Sequence, residues 1–177
     1  MRLTNKKLKM SKEITNHLFD ENELKEAEKI LSHFPSKMSG TLPLLWMLQE
    51  KFGWISKESM EYVGQLCEVP YDHVPGVVTF YTMYNKKPVG KVHLQVCTNV
   101  SCMLRGADRI YDHISKKLNI RNKETTEDGS YTLERVECLG SCASAPMVQV
   151  NNKEYYENLE LDKIDALLEE LKKKYSA

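Results

Sequence analysis

The sequence contains VHLQVCTNVSC at residues 92–102 and YTLERVECLGSC at residues 131–142. In the first stretch, Val92, Leu94 and Val96 alternate with polar residues, a period-two pattern typical of a β-strand. The second stretch is also rich in strand-forming residues. Together they predict two strands, at 92–97 and 131–137, each leading directly into a close pair of cysteines.

Apolar residues recur at helical spacing from Leu104 to Leu118, between the two strands, and predict a single helix there. A strand, a helix and a second strand in this order form a βαβ unit, in which both strands run parallel. Their carboxyl ends then meet at one edge of the sheet. We therefore expect the loops that begin at Cys97 and Cys138 to lie side by side. His93 alternates out of the apolar face of its strand and is predicted to be exposed.

The four cysteines in these loops are Cys97, Cys102, Cys138 and Cys142, spaced C-x4-C and C-x3-C. Groups of four thiolates bind zinc, copper(I) or iron–sulfur clusters. Structural zinc sites usually use C-x2-C or similarly short knuckles, which neither pair matches. Disulfides fit poorly, because the chain has five cysteines and no secretory signal pattern. A [2Fe–2S] cluster and a zinc site both stay open on spacing alone.

The remaining carboxyl-terminal sequence completes an α/β domain. Residues 147–150 and 153–156 predict a β-hairpin around the turn Asn151-Asn152. Apolar residues from Leu161 to Leu171 then predict a closing helix, with acidic residues near its start and lysines at its end.

The preceding sequence predicts a helical region. Asp20 and Glu23 form a capping signal for a helix that Pro35 ends. A second helix is predicted from Pro43 to Lys51, with Gly53 ending it, and a third begins after Ser56 and carries Cys67 on its apolar face. Cys67, the fifth cysteine, is predicted to be a buried core residue and not a ligand.

Residues 70–84 give conflicting signals. Val77-Val78-Thr79-Phe80-Tyr81 has high strand propensity, whereas Asp72 and Pro75 suit the start of a helix. Residues 85–90 form a linker. We therefore expect a basic flexible tail at 1–19, a helical domain at 20–86 and an α/β domain at 87–177.

The composition excludes several classes of function. Lys plus Arg equals Asp plus Glu at 25 each, so net charge gives no indication of a nucleic-acid partner. No apolar run reaches the roughly 20 residues of a membrane-spanning helix, so direct membrane insertion is not expected. The sequence has no G-x-G and no P-loop, and hence no recognisable nucleotide site.

The cysteine motifs resemble the thioredoxin-like [2Fe–2S] ferredoxin family, and within it the E-type subunits of NADH:quinone oxidoreductases (complex I). The resemblance extends over residues 34–172 and includes these further motifs: GWI at 53–55, VVTFY at 77–81, PVGK at 88–91 and ETTEDG at 124–129. It implies an α+β protein, with a helical bundle followed by a thioredoxin-like domain. It also favours a helix for residues 70–84, with Phe80, Tyr81 and Tyr84 packing against the other helices or the next domain.

The resemblance further implies one [2Fe–2S] cluster held by Cys97, Cys102, Cys138 and Cys142. The chain would carry single electrons beside a partner subunit that binds NADH and FMN. It would be cytoplasmic and peripheral on the membrane through the complex. An equivalent subunit of an NAD-linked hydrogenase or formate dehydrogenase is the alternative, and a zinc-stapled structural subunit is a third. Residues 77–84 are expected to contribute to the surface that contacts the flavin subunit.

Overall fold

The computed structural model describes residues 18–175. Residues 1–17 of the predicted tail therefore lie outside the described part of the chain. The described residues form two compact units that divide between Pro88 and Val89. Within 18–175, no helix combines the length and the apolar character needed to cross a bilayer.

Residues 18–88 of the first unit contain four α-helices and a short 3-10 helix. Asp20 begins the first α-helix with a complete capping box, in which its carboxylate accepts from the Glu23 backbone and the Glu23 carboxylate accepts from the Asp20 backbone. Gly53 ends the second in the left-handed conformation, with φ of 78°. The α-helices are α1 (Glu21–Ser32), α2 (Thr41–Phe52), α3 (Lys57–Leu66) and α4 (His73–Phe80); the 3-10 helix is Lys37–Gly40.

The core of this unit is built from the apolar faces that the sequence predicts. Leu44, Leu45 and Leu48 of α2 are fully buried, and Phe19 packs edge-on against Tyr62 with ring centroids 5.3 Å apart. Cys67 is also buried, at 2% exposure, which confirms its prediction as a core residue.

The helix expected within residues 70–84 is confirmed as α4, so the strand propensity of its valines is overridden. Of the three aromatic residues expected to pack against the other helices or the next domain, Tyr84 is packed and Phe80 is not. Tyr84 is buried and its hydroxyl donates to the Leu42 carbonyl at 2.8 Å, whereas Phe80 and Tyr81 are 78% and 39% exposed. Helical geometry places Val74 and Val78 on the buried face instead.

The second unit is a five-stranded sheet with helices. The order of strands across the sheet is β2-β3-β1-β4-β5. Central β1 pairs in parallel with β3, while every other pairing is antiparallel. The strands are β1 (Val92–Cys97), β2 (Glu124–Thr125), β3 (Tyr131–Val136), β4 (Val148–Val150) and β5 (Glu154–Tyr156); the helices are α5 (Val100–Leu104), α6 (Ala107–Leu118) and α7 (Ile164–Tyr175), with 3-10 turns at Cys142–Ser144 and Leu161–Lys163.

One hydrophobic core joins the sheet to α6 and α7. Val92, Leu94 and Val96 of β1 are each 1% exposed and pack with apolar residues of both helices. The α+β architecture predicted from the sequence is thus confirmed, with a helical part followed by a mixed sheet.

Two details of the predicted elements can be compared with the structure. The single helix expected from Leu104 is two helices, because Gly106 takes φ of 95° between α5 and α6. The hairpin turn is as predicted: Asn151 and Asn152 have φ of 54° and 57°, and the Lys153 amide donates to the Val150 carbonyl at 3.0 Å.

The prediction that His93 is exposed is wrong, because it is only 2% exposed. Its ring Nε2 lies 3.0 Å from Glu134 Oε2, and the Gln95 amide beside it donates to Asn152 at 2.7 Å. The second face of β1 is therefore a buried layer of polar side chains that bond to one another. The alternation of polar and apolar residues separated the two faces of β1 correctly. It did not indicate that both faces of this central strand are buried.

Candidate metal centre

The sheet brings the two cysteine loops to one edge. Cys97 ends β1 and lies in register with Val136, which ends the parallel strand β3. The Thr98 amide donates to the Val136 carbonyl at 3.0 Å and extends the pairing one residue further. Because parallel strands end on the same side, the loops leave the sheet side by side, as the βαβ pattern predicts.

The first cysteine pair is buried at the start of the first loop. Cys97 and Cys102 are each 3% exposed. Asn99 caps α5, since its side-chain oxygen accepts from the Val100 amide at 2.9 Å, and Cys102 is the buried residue of this helix. The Asn99 amide also donates to Glu137 Oε2 at 3.1 Å, which links the first loop to the second.

Burial raises the pKa of the Cys102 thiol to about 11, and the neighbouring Cys97 thiol contributes in the same direction. The Cys142 thiol adds a smaller increase, while the Met147 backbone opposes it. The pKa of Cys102 is thus raised by one thiol of its own loop and by one thiol of the other loop. Metal binding replaces the proton on such a thiol, so the charge that burial disfavours is neutralised by the cation.

The second cysteine pair is exposed. Cys138 Sγ and Cys142 Sγ lie 3.8 Å apart. A tetrahedral metal that binds two thiolates at about 2.3 Å holds the sulfurs about 3.8 Å from each other. Gly140 has φ of 85°, and its amide lies 3.4 Å from Cys138 Sγ as a donor. This separation and this N–H donor suit two thiolates on one metal.

The four thiols are arranged as two pairs. Across residues 18–175, no three His, Cys, Asp or Glu side chains surround a point where a single metal ion would bind. A [2Fe–2S] cluster uses two thiolates on each of two irons, whereas structural zinc gathers four ligands around one ion. Two pairs of thiolates therefore fit the ligand set of a binuclear cluster. Cys67 lies in the core of the first unit and has its pKa raised by burial.

Apolar side chains are exposed next to the first pair. Val100, Met103 and Leu104 of α5 are 60%, 46% and 76% exposed. We call these three residues the α5 rim. Exposed apolar side chains that lie together are typical of a protein-binding surface.

Sequence reasoning did not identify the contacts that residues 155–159 make with the second cysteine loop. The order and direction of the strands could have indicated these contacts. In the observed sheet β4 runs antiparallel to β1, and β5 antiparallel to β4. Strand β5 therefore ends at the same edge as β1 and β3, and the residues after it face the cysteine loops.

Comparison with known proteins gives consistent results. The family model for the thioredoxin-like [2Fe-2S] ferredoxin matches residues 27–172. The chain is 46% identical over 165 residues to the E-type subunit of NADH-quinone oxidoreductase from Rickettsia conorii, covering 92% of this chain and 98% of that protein. It is 41% identical over 144 residues to the second E-type subunit of the same enzyme from Rhizobium meliloti, covering 81% and 85%.

Among solved structures, an NAD+-reducing [NiFe]-hydrogenase in the air-oxidised state matches with a TM-score of 0.64 at 18% identity. The match covers 74% of this chain and 23% of the hydrogenase chain. At this identity, the match shows a shared fold alone.

Proposed function

Because the chain belongs to the thioredoxin-like [2Fe–2S] ferredoxin family, we propose that it is the electron-carrying E-type subunit of an NADH:quinone oxidoreductase. The observation that supports this most is identity of 46% over nearly the full length of a relative with that name. All four cysteines of the candidate centre lie within the residues that the family model matches.

We propose that Cys97, Cys102, Cys138 and Cys142 hold one [2Fe–2S] cluster. When bound, such a cluster accepts and releases one electron at a time. The buried pair, Cys97 and Cys102, anchors the site and excludes water from its inner side. The exposed pair, Cys138 and Cys142, leaves the outer side open for electron exchange, and the Gly140 amide offers a hydrogen bond to the sulfur of Cys138.

A partner must supply the hydride chemistry. Oxidation of NADH requires a cofactor such as a flavin that converts two electrons into single steps. This sequence has no glycine-rich nucleotide fingerprint. We therefore propose that FMN and NADH bind a partner subunit of the same complex. Membrane attachment would run through the complex and not through this chain.

Two exposed surfaces are available for such a partner. The α5 rim borders the first cysteine pair. In the first unit, a cleft of about 410 Å³ is lined by Asp72, His73, Gly76, Val77, Phe80 and Tyr81. Val78 and Tyr84 are buried, so only some of residues 77–84 are exposed and able to contact a partner.

Metal analysis of anaerobically purified protein tests the cluster. We expect two irons and two labile sulfides per chain, with the visible absorption of an iron–sulfur protein. Stoichiometric zinc with a colourless protein would instead support the zinc-stapled structural subunit.

A separate experiment tests whether NADH oxidation requires the flavin subunit. Purified chain is mixed with NADH and an artificial electron acceptor, before and after addition of the flavin subunit. We expect turnover only in the second case. Turnover by the chain alone, at the rate of the pair, would contradict the proposal.

The second candidate function is the equivalent subunit of an NAD-linked hydrogenase or formate dehydrogenase. The fold match to an NAD+-reducing [NiFe]-hydrogenase favours keeping it. Identification of the subunits that copurify with the chain distinguishes the two: a quinone-reducing membrane module supports the first, and a hydrogenase or formate dehydrogenase subunit supports the second.

A further inference from the structure

The segment 155–159, which begins within β5 and continues beyond its end, makes hydrogen bonds with the second cysteine loop, residues 138–146. We call this segment the clasp. Three of its bonds involve the loop backbone: Tyr155 Oη donates to the Leu139 carbonyl at 3.0 Å, the Asn158 amide to the Ser144 carbonyl at 2.7 Å, and the Leu159 amide to the Pro146 carbonyl at 3.0 Å. The clasp thus contacts the loop at both ends of the exposed cysteine pair.

The centre of the clasp is the exposed carboxylate of Glu157. The hydroxyls of Ser141 and Ser144 both donate to Glu157 Oε1, the second at 3.0 Å. The two hydroxyl oxygens lie 3.2 Å from each other. Ser141 immediately precedes Cys142, so the carboxylate is held beside the backbone that carries this thiol.

Two electrostatic consequences follow for an anionic group bound by these cysteines. A fixed negative charge near the site opposes the addition of an electron. In addition, hydrogen bonds to the sulfurs are among the factors that set the reduction potential of a cluster. A Ser141 hydroxyl that donates to Glu157 is directed to the carboxylate and is not available to a sulfur. Both effects favour the oxidised state.

We propose that Glu157 is a positioning residue that acts through Ser141 and Ser144 and lowers the reduction potential of the cluster. The proposal rests on the proposed function, because it requires that the four cysteines hold a redox-active cluster. It assigns a role in the electron-transfer site to a residue that is not a metal ligand.

Redox titration of the full-length chain, followed by visible absorption and electron paramagnetic resonance, tests this. We expect Glu157→Gln to favour reduction by about fivefold. For a one-electron couple a tenfold change is about 59 mV, so the expected rise in potential is about 40 mV. Glu157→Asp keeps the charge and is expected to shift the potential by less than half as much.

Glu127→Gln is the matched control. It removes the same charge from an exposed residue before β3, at the opposite end of that strand from the cysteine loop. Its potential should equal that of the unmodified chain. Equal shifts in Glu127→Gln and Glu157→Gln would show a general effect of net charge and would overturn the proposal.

The remaining outcomes are also decisive. A loaded Glu157→Gln protein with an unchanged potential overturns the proposal. If Glu157→Gln fails to hold iron, Glu157→Met provides a second neutral side chain of similar length. If neither neutral variant holds iron, Glu157 is needed for assembly and the tuning role is wrong. Absence of a cluster in the unmodified chain would refute the proposed function itself.

Discussion

Replacement of Gly90 by alanine tests how closely the sheet that carries the candidate centre is packed. Gly90 is buried just before β1, and its amide donates to the Thr132 hydroxyl at 2.6 Å. A Cβ added to Gly90 would lie 2.7, 2.8 and 2.9 Å from three backbone atoms of Tyr131. Because these are backbone atoms of β3, no side-chain rotation can relieve the contacts.

The magnitude follows from these distances. The nearest contact lies about 0.7 Å inside the 3.4 Å at which ordinary contact begins, so β3 must move away from Gly90. Overpacking of this kind costs about 1–3 kcal/mol. The same movement stretches the bond to Thr132, which is worth about 0.5–1.5 kcal/mol. We expect the free energy of unfolding of the second unit to fall by about 2–4 kcal/mol.

Hydrogen exchange measured by mass spectrometry localises this effect. Both tryptophans, Trp46 and Trp54, lie in the first unit, so their fluorescence does not report on the sheet. Peptides covering β1 and β3 should exchange about 30- to 700-fold faster in Gly90→Ala, since about 1.4 kcal/mol is a factor of ten.

The control for this experiment is Gly76→Ala. Gly76 lies inside α4, and an added Cβ has nothing within 4 Å. The same methyl group should leave the sheet peptides unchanged and stabilise α4 by up to about 1 kcal/mol. Sheet peptides of Gly90→Ala that exchange at the rate of the unmodified chain would refute the packing argument.

Two further predictions concern the cysteines and the polar layer of the sheet. Cys67→Ser should retain the visible spectrum of the cluster whereas Cys138→Ser loses or alters it; loss of the spectrum in a folded Cys67→Ser protein, checked by circular dichroism, would contradict the ligand assignment. Burial raises the pKa of Glu134, but the hydrogen bond and charge of His93, together with Lys123, outweigh it and hold the pKa below its usual value. Glu134 therefore stabilises the fold above about pH 5, and this stabilisation is lost as the pH falls through the lowered pKa. The difference in stability between the unmodified chain and Glu134→Gln should shrink as the pH falls through the lowered pKa of Glu134, and a constant difference would contradict the assignment.

Local signals in the sequence predicted much of the fold. Asp20 and Glu23 cap α1 because their bonds involve only neighbouring backbone, and Asn151-Asn152 closes the hairpin because asparagine tolerates positive φ. The juxtaposition of the cysteine loops also followed from the sequence, because a βαβ crossover leaves no choice of edge.

The features that local signals missed depend on tertiary partners. Burial of His93 requires Glu134 from another strand, and nothing in residues 92–97 indicates that partner. Exposure of Phe80 follows from the face of α4 that packs inward, which the apolar run at 77–81 does not specify. In the clasp, Glu157 binds Ser144 and Ser141, which lie 13 and 16 positions before it in the sequence. These contacts could be inferred only once the direction of β5 was known.

The same topology explains why one cysteine pair is buried and the other is exposed. Cys97 ends the central strand, with paired strands on both sides, so its neighbourhood is enclosed by the sheet and α5. Cys138 lies two residues beyond the end of β3, in a loop that is held by hydrogen bonds from the clasp, and its side chain is exposed. Substitutions in the clasp should therefore alter the exposed half of the centre and leave the packing around Cys97 and Cys102 intact. If a partner exchanges electrons at the exposed half, it would meet the clasp directly, and the charge of Glu157 would then act both on the centre and on the approach of the partner.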